Sequence, residues 1–406
     1  MGTGKAETHN LLVLGYTLPM AFDPTFFQTI RTLYVQVPFC PERCDYCSIP
    51  VSLRPEFASG YVEALFREKE RLLQREDLSR LETLYIGGGT PTVLEPGLLS
   101  DLLEGLKKDL PPLAEITVES RPDVLTEEML SLLDSKGITR LSVGMESVTS
   151  PQMGFLGRTM SPVDSVRFIE FVRNRFSGQL SMDFIVGGPG YEENRFLLAA
   201  RSLLTEGLDH LSVYPLTLED RTSLKARHLR KELPCDLEEK AGKDWQSAVR
   251  KLSALGWHRY EVANFARSSQ TECRHNLRVW QGFDYAGLGA GAHQRIRNVR
   301  TVNLPSIRSY ELSVRRDMHP VHLNETLTDQ EALLEVLYTN ARISYGFPID
   351  WVSSGQTGKE MMRLLGEWIA CGWIDPLRLK EGRLVFTHAG WDQLDTLLGH
   401  LWSVLD

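Results

Sequence analysis

The feature that most constrains the fold is an alternation of short apolar segments with longer amphipathic segments, which begins near Thr32. Six short segments have the length and apolar content of buried strands, and they lie near 33–37, 83–86, 115–118, 140–143, 181–186 and 210–214. Helical patterns separate them at 57–74, 96–109, 126–135, 162–175 and 192–206. Six βα units predict an α/β fold, a partial (β/α)6 TIM-like barrel that is open on one side.

Three cysteines follow the first predicted strand directly. Cys40, Cys44 and Cys47 have the spacing Cys-x3-Cys-x2-Cys, and no fourth cysteine lies nearby. Pro38 cannot continue a central strand, so the cysteines lie on the loop after it. Three thiolates fit a four-iron cluster that leaves one iron open to another ligand.

Two other interpretations of the three cysteines are weaker. A structural zinc site takes four protein ligands, but the only histidine before Cys40 is His9, and the next along the chain is His210. Six cysteines in 406 residues are too few for a disulfide-stapled secreted domain, and the other three are scattered. The iron–sulfur interpretation is therefore favoured.

The cysteine loop, with Tyr46 before its last cysteine, resembles that of the radical S-adenosylmethionine (SAM) superfamily. There SAM chelates the open iron, and an electron from the cluster cleaves it to a 5′-deoxyadenosyl radical. Further matches follow in the family's order: a Gly-Gly-Gly-Thr turn, two strands that end in acids, an arginine, and an aspartate on a later strand. The resemblance implies a [4Fe–4S] cluster on Cys40, Cys44 and Cys47. It also implies SAM contacts at Tyr34, Tyr46, Gly88, Gly89, Thr90, Glu119, Glu146, Arg158 and Asp183.

Each of these acids alone fits a solvated or capping carboxylate equally well. Taken together, they lie near the carboxyl ends of successive predicted parallel strands, where α/β barrels build their sites. That arrangement favours the SAM site.

Segments 214–219, 260–266, 275–280 and 287–293 resemble the HemN/HemW (oxygen-independent coproporphyrinogen oxidase-like) family, and its HemW branch in particular. HemN carries an extra cysteine where this chain has Ile49. The His-Asn-x-x-Tyr-Trp motif of HemW begins here at His275, with Val279 in place of tyrosine, and Glu146 stands where the family usually has glutamine. The resemblance implies a chaperone that binds haem and delivers it to an acceptor protein. His275 is either a haem ligand or a buried, hydrogen-bonded histidine.

An enzyme is the alternative. It would use the SAM radical on a porphyrin or tetrapyrrole for decarboxylation, ring opening or methyl transfer, and Ile49 counts against the first. It would also need an electron donor such as a flavodoxin-type protein. A third possibility is a non-catalytic iron–sulfur binding module. Whether SAM is turned over stays open, and a homodimer is compatible with the chaperone.

Composition excludes other classes of function. The net charge of −8 disfavours a nucleic-acid-binding surface, and the sequence has no apolar run of about 18 residues that would span a membrane. Segment 11–22 is mostly apolar, but Pro19 interrupts it and no small-x-small site follows, so we interpret it as a strand or loop rather than a signal peptide. Residues 1–10 are predicted to be a disordered tail. Reduced thiols indicate a cytoplasmic protein.

The sequence predicts four regions: an N-terminal tail and extension (1–30), the barrel (31–225), a linking region with the His275 motif (226–323), and a helical, winged-helix-like domain (324–406). The last is predicted from a helix at 359–371 that stops at Gly372, followed by strand, turn and strand within 378–387. The acidic balance favours a lid or partner-docking role for it over DNA binding. The charged stretch 220–236 is better explained as a solvated helix face than as a contact for porphyrin carboxylates.

Overall fold

The structure, a computed structural model, describes residues 22–353 and 358–405. The chain forms two compact units, of which one spans Gln28–Thr328 and the other combines the stretch ending at Phe27 with the region from Asp329 onward. The predictions for 1–10 and for 11–21 concern residues outside the described ranges.

Six parallel strands form the centre of the larger unit, and each of the six predicted strands is confirmed. They are β1 (Ile30–Val37), β2 (Thr83–Gly88), β3 (Glu115–Ser120), β4 (Arg140–Glu146), β5 (Gln179–Val186) and β6 (His210–Pro215). Each pairs in parallel with the next along the chain. The connecting helices are Ala58–Arg75, Pro96–Lys107, Glu127–Ser135, Ser150–Phe155, Ser165–Arg173 and Glu193–Thr205. The larger unit is therefore the predicted βα barrel.

The predicted linking region extends both edges of this sheet. It contributes β7 (His258–Arg259), β8 (Asn264–Ala266), β9 (Asp284–Leu288), β10 (His293–Ile296) and β11 (Val299–Asn303), and β12 (Val321–Thr326) follows. Strand β9 runs parallel to β1, whereas β8 runs antiparallel to β6. In the described sheet the order is β12-β11-β10-β9-β1-β2-β3-β4-β5-β6-β8-β7, and its two end strands do not pair. The barrel is thus open, as predicted, but it has a seventh parallel strand that the sequence analysis missed.

Side chains alternate between two environments along each central strand. In β1, Leu33, Val35 and Val37 are fully buried, whereas Tyr34 and Gln36 between them line a cavity. Successive residues of a strand point to opposite faces, so one face packs against the helices and the other faces the barrel interior. The same alternation recurs in β2 to β6, and it gives the barrel an apolar outer layer and a polar interior.

The remaining helices of the larger unit are Ser223–Leu229, Leu237–Ala254, Arg274–Trp280 and Ile307–Arg315. Side-chain oxygens cap several helices: the Thr126 hydroxyl accepts from the Met129 N–H, and the Ser306 hydroxyl from the Ser309 N–H. No helix in the described part of the chain is both long and apolar enough to cross a membrane.

The smaller unit is mainly helical. Its helices are Pro24–Phe27, Asp329–Asn340, Asp350–Ser353, Gly358–Ala370, Pro376–Lys380, His388–Trp391 and Leu394–Leu405, and its short strands are β13 (Phe347–Pro348) and β14 (Arg383–Leu384). The predicted helix that stops at Gly372 is confirmed, since Gly372 has a φ of 72°.

The predicted strand, turn and strand within 378–387 is wrong in its first half. That stretch belongs to the helix Pro376–Lys380, because the Asp375 carboxylate accepts from the N–H groups of Leu377 and Arg378 and Pro376 occupies the first turn. Strand β14 pairs instead with the distant β13.

Candidate functional site

The cysteine loop is held against the carboxyl ends of the strands by backbone hydrogen bonds. The N–H of Cys40 donates to Ser52 O at 3.0 Å, and the N–H of Asp45 donates to Leu156 O at 3.0 Å. The N–H of Thr90, in the turn after β2, donates to Phe39 O at 2.7 Å. These contacts fix the position of the loop.

A cavity of about 590 Å³ lies beneath this loop, and most of the predicted site residues line it. They are Cys40, Cys44, Cys47, Tyr46, Gly88, Gly89, Thr90, Glu119, Glu146, Arg158 and Asp183. Residues that lie up to 143 positions apart in the chain thus share one cavity wall, because the carboxyl ends of parallel strands meet at the same end of the barrel.

Glu119, at the end of β3, is held in place by two donors. The N–H of Gly88 donates to Oε2 at 2.8 Å, and the hydroxyl of Tyr85 donates to Oε1 at 2.9 Å. A Cβ on Gly87 would come within 2.5 Å of the Glu119 carboxyl carbon. The absence of a side chain at Gly87 therefore allows Glu119 to lie against β2.

The cavity concentrates carboxyl groups away from water. Burial raises the pKa of Glu119 to about 7, and burial, with the nearby charge of Glu146, raises the pKa of Asp183 to about 6. The Ser142 hydroxyl donates to Asp183 Oδ2 at 2.8 Å and the Ser181 hydroxyl to Oδ1 at 3.3 Å. Such a cavity favours a ligand that carries positive charge and N–H or O–H donors.

Glu146 and Arg158 form a buried ion pair in the same wall. Glu146 has a φ of 63° and lies at an irregularity in the β4–β5 register, which turns its side chain back towards the cavity. The Arg158 guanidinium keeps two buried nitrogens, Nε and Nη1, without a hydrogen-bond partner among the described residues. Unpartnered guanidinium donors beside a cavity fit a ligand carboxylate, as SAM would supply.

The thiols of the loop are partly buried. Burial raises the pKa of Cys44 to about 11 and raises those of Cys40 and Cys47 as well. Among residues 22–353 and 358–405, no three or more His, Cys, Asp or Glu side chains are grouped to hold one metal ion. A cubane needs no such grouping, because each thiolate binds a different iron, so three thiols on one fixed loop fit it.

A second cavity, of about 680 Å³, adjoins the first, and six residues line both: Ser48, Ile49, Tyr85, Glu119, Tyr214 and Asn276. Part of its wall is aromatic, with rings from Tyr34, Tyr85, Tyr214, Trp280 and Tyr285. Tyr34 was predicted beside the cysteine loop, but the structure places it in this second cavity. It lies mid-strand in β1, where its hydroxyl donates to Gln36 Oε1 at 2.8 Å and its ring stacks on Tyr85.

His275 lies in the wall of the second cavity. Its Nδ1 is 2.9 Å from the Thr83 hydroxyl, its ring centroid is 4.9 Å from that of Tyr85, and its backbone N–H donates to Glu115 Oε1 at 3.0 Å. Burial lowers the pKa of His275 to about 4, so the imidazole is neutral at physiological pH. The hydrogen bond to Thr83 fits a structural histidine, and the position in a cavity wall fits a ligand.

Several cavity residues were missed by the sequence analysis. Tyr85, Ser142, Ser181 and Ser212 line the first cavity from the middle of their strands. The available signal was the strict alternation of apolar and polar residues within each strand, as in Arg140-Leu-Ser142-Val. That alternation marks a polar face towards the barrel interior, and it extends along the strands beyond their carboxyl ends.

Comparison with known proteins identifies the family. The model of the radical SAM superfamily matches residues 34–203. The chain is 31% identical over 324 residues to "Heme chaperone HemW" of Mycobacterium tuberculosis, which covers 78% of this chain and 83% of that protein. It is 29% identical over 321 residues to the protein of that name in Bacillus subtilis, covering 78% and 84%.

A mouse protein, "Radical S-adenosyl methionine domain-containing protein 1, mitochondrial", is 34% identical over 276 residues. This match covers 67% of the chain and 62% of the mouse protein. Among solved structures, the coproporphyrinogen III oxidase HemN of Escherichia coli superposes on this chain with a TM-score of 0.73 at 19% identity. The superposition covers 93% of this chain and 91% of HemN, so the two proteins share a fold. Membership of the superfamily implies a [4Fe–4S] cluster and SAM as cofactors. The chain belongs to the HemN/HemW family of radical SAM proteins.

Proposed function

We propose that this protein is a haem chaperone of the HemW type. In this proposal Cys40, Cys44 and Cys47 hold the [4Fe–4S] cluster, the first cavity binds SAM, and the second cavity binds haem for delivery to an acceptor protein. Two bacterial relatives are named haem chaperones, and this supports the choice of haem.

The observation that carries the proposal is a neutral, buried His275 in the wall of a cavity that is partly lined by aromatic rings and adjoins the cysteine loop's cavity. A neutral imidazole is the form that binds iron, and a histidine is a common axial ligand of haem. The Thr83 hydroxyl bonds Nδ1, which would orient the ring and leave Nε2 for the metal. Flat aromatic side chains suit the faces of a planar macrocycle.

The residues of the first cavity have distinct roles in binding SAM. The unpartnered nitrogens of Arg158 would bind the ligand carboxylate, while Glu119 and Asp183 would accept hydrogen bonds from its ammonium and hydroxyl groups. Glu146 neutralises Arg158 in the absence of ligand, which an amide at this position would not do. The cluster and SAM, when bound, supply reductive radical chemistry.

An enzyme acting on a tetrapyrrole is the second candidate. It is favoured by the wall that the two cavities share, since a ligand in the second cavity would lie beside Tyr85, Glu119 and Tyr214 and hence next to SAM. Such a ligand would be within reach of hydrogen abstraction, with decarboxylation, ring opening or methyl transfer as outcomes.

An anaerobic experiment separates the two candidates. Protein with a reconstituted cluster is mixed with SAM, a reductant, and either haem or coproporphyrinogen, and 5′-deoxyadenosine and pigment are followed with time. For the chaperone we expect one haem captured per chain with little SAM cleavage. Deoxyadenosine produced over many turnovers in a substrate-dependent manner would instead establish the enzyme.

His275 itself is tested by His275→Ala, with the exposed His322→Ala as the matched control. We expect His275→Ala to change the haem absorption spectrum and to weaken haem binding by about tenfold or more, as loss of an axial ligand should. A variant that holds haem with an unaltered spectrum would remove His275 as the ligand.

The proposal also includes partners. Delivery requires a haem-acceptor protein, and reduction of the cluster requires an electron donor such as a flavodoxin-type protein. We place the chaperone in the cytoplasm, where its thiols remain reduced, and we include a homodimer as its assembly. Size-exclusion chromatography with and without SAM tests the dimer.

A further inference from the structure

The two cavities differ in the charges that line them. Four arginines line the first cavity, namely Arg43, Arg121, Arg140 and Arg158. Among the described residues that line the second cavity there is no lysine or arginine, whereas two carboxyl groups, Glu119 and Glu261, belong to its wall. A ligand carboxylate thus finds arginines beside the acids of the first cavity, whereas the titratable side chains that line the second, apart from its tyrosines, are two carboxyl groups and the histidines His275 and His293.

Glu261 is the acid that belongs to the second cavity alone. Glu261 is 1% exposed, and its Oε1 has no hydrogen-bond partner among the described residues. The N–H groups of Ala263 and Asn264 and the Asn264 side chain bond the carboxylate and hold it in position. Burial raises the pKa of Glu261 to about 7, so a substantial fraction is ionised at neutral pH.

The charge of Arg259 lowers the pKa of Glu261, but Arg259 does not line the second cavity. The Arg259 guanidinium donates to Val262 O at 3.1 Å from Nε and 2.7 Å from Nη2, and Arg259 does not belong to the cavity wall. It lies 5.3 Å over the Trp245 ring. The guanidinium therefore contacts Val262 and Trp245, and neither residue lines the second cavity.

A carboxylate that entered this cavity would lose its water and gain no cation. Burial of an unpaired carboxylate is strongly unfavourable, and a second carboxylate nearby adds repulsion. The hydrocarbon substituents and ring edges of a ligand carry no charge, so they pack against tyrosine and tryptophan side chains without this desolvation cost. The wall accordingly admits the apolar parts of a ligand and rejects its acidic substituents.

We propose that the second cavity accepts a tetrapyrrole by an edge that carries no carboxylate, with Glu261 as the specificity-determining residue. This inference rests on the proposed function, because it assumes that a tetrapyrrole binds there. Haem has its two propionates on adjacent pyrroles, so its opposite edge is hydrocarbon and enters first while the propionates stay in water. A coproporphyrin has a propionate on every pyrrole, so each orientation brings a carboxylate towards Glu261.

The test compares two iron porphyrins of the same metal, haem and iron coproporphyrin III, titrated against the full-length protein by absorbance. We expect the wild type to bind haem tighter than iron coproporphyrin by about tenfold or more. Glu261→Gln should narrow this ratio to about threefold or less by improving coproporphyrin binding, since glutamine keeps the shape and removes the charge. The exposed Glu206→Gln is the matched control and should leave the ratio unchanged.

The tetramethyl ester of iron coproporphyrin separates charge from size. If charge decides, the ester should bind far better than the free acid although it is larger. Three results would each overturn this inference and leave the haem chaperone in place. The wild type could bind haem and iron coproporphyrin equally, or Glu261→Gln could leave the ratio of the two affinities unchanged. The third is that the protein excludes the ester as completely as the free acid. Failure of both porphyrins to bind would overturn the proposed function itself.

Discussion

Replacing Arg158 by methionine tests the electrostatic design of the first cavity. The substitution keeps an unbranched side chain of similar length. It removes the cation that pairs with Glu146, whose side chain is 10% exposed. It also removes the two guanidinium nitrogens that have no hydrogen-bond partner among the described residues. Two separate quantities should change: the free energy of unfolding of the protein without cofactors, and the affinity of the reconstituted protein for SAM.

The size of each effect follows from the burial. A buried carboxylate left without its cation costs about 3–5 kcal/mol in the free energy of unfolding. A hydrogen bond to a charged group contributes about 1.5–3 kcal/mol, so loss of the carboxylate contact should weaken SAM binding by roughly ten- to hundredfold. Denaturant unfolding followed by circular dichroism measures the first quantity, and calorimetry under anaerobic conditions measures the second.

A second substitution separates the two effects. The double variant Glu146→Gln/Arg158→Met carries neither charge, so it should recover most of the lost stability but none of the SAM affinity. Arg195→Met is the control, because Arg195 pairs with Glu192 on the surface and such pairs contribute about 1 kcal/mol or less. Unaltered SAM affinity in Arg158→Met, or a double variant no more stable than the single one, would refute the reasoning.

Two further predictions concern the same cavity. Because burial raises the folded-state pKa of Glu119 to about 7 and that of Asp183 to about 6, these two carboxyl groups bind more protons in the folded protein than in the unfolded chain above about pH 4. Their contribution to the free energy of unfolding should therefore fall as the pH rises from about 4 to 7, and that of Glu119 should fall by at most about 3 kcal/mol. Thermal melts of Glu119→Gln and the wild type across this pH range measure the difference, and identical pH profiles would contradict the prediction. Gly87→Ala should weaken SAM binding by about tenfold, because the new Cβ displaces the Glu119 carboxylate. Gly97→Ala is the control and should leave SAM affinity unchanged, because no atom lies within 4 Å of its new Cβ. Equal effects of the two substitutions on SAM affinity would count against the steric argument.

The order of elements was predictable from the sequence because burial leaves a local pattern. All six central strands and five of the helices between them were located, since short apolar runs and amphipathic periods are read from neighbouring residues, whereas the short helix Ser150–Phe155 was not predicted. The seventh parallel strand, Asp284–Leu288, was missed because Gly287 and its neighbours have the composition of a turn, and only pairing with β1 makes the segment a strand. The hairpin predicted at 378–387 failed because the cap at Asp375 favours a helix there.

Sequence by itself determined the chemistry available to this protein: three thiols on one loop, glycines after the second strand, and acids at the ends of later strands. Tertiary structure alone decided how these groups meet. It paired Glu146 with Arg158, buried Glu119 against the glycine turn, moved Tyr34 to the second cavity, and surrounded that cavity with acids and aromatic rings. The physical reason is that pairing, burial and the resulting pKa depend on distances between residues far apart in the chain, which no local pattern records.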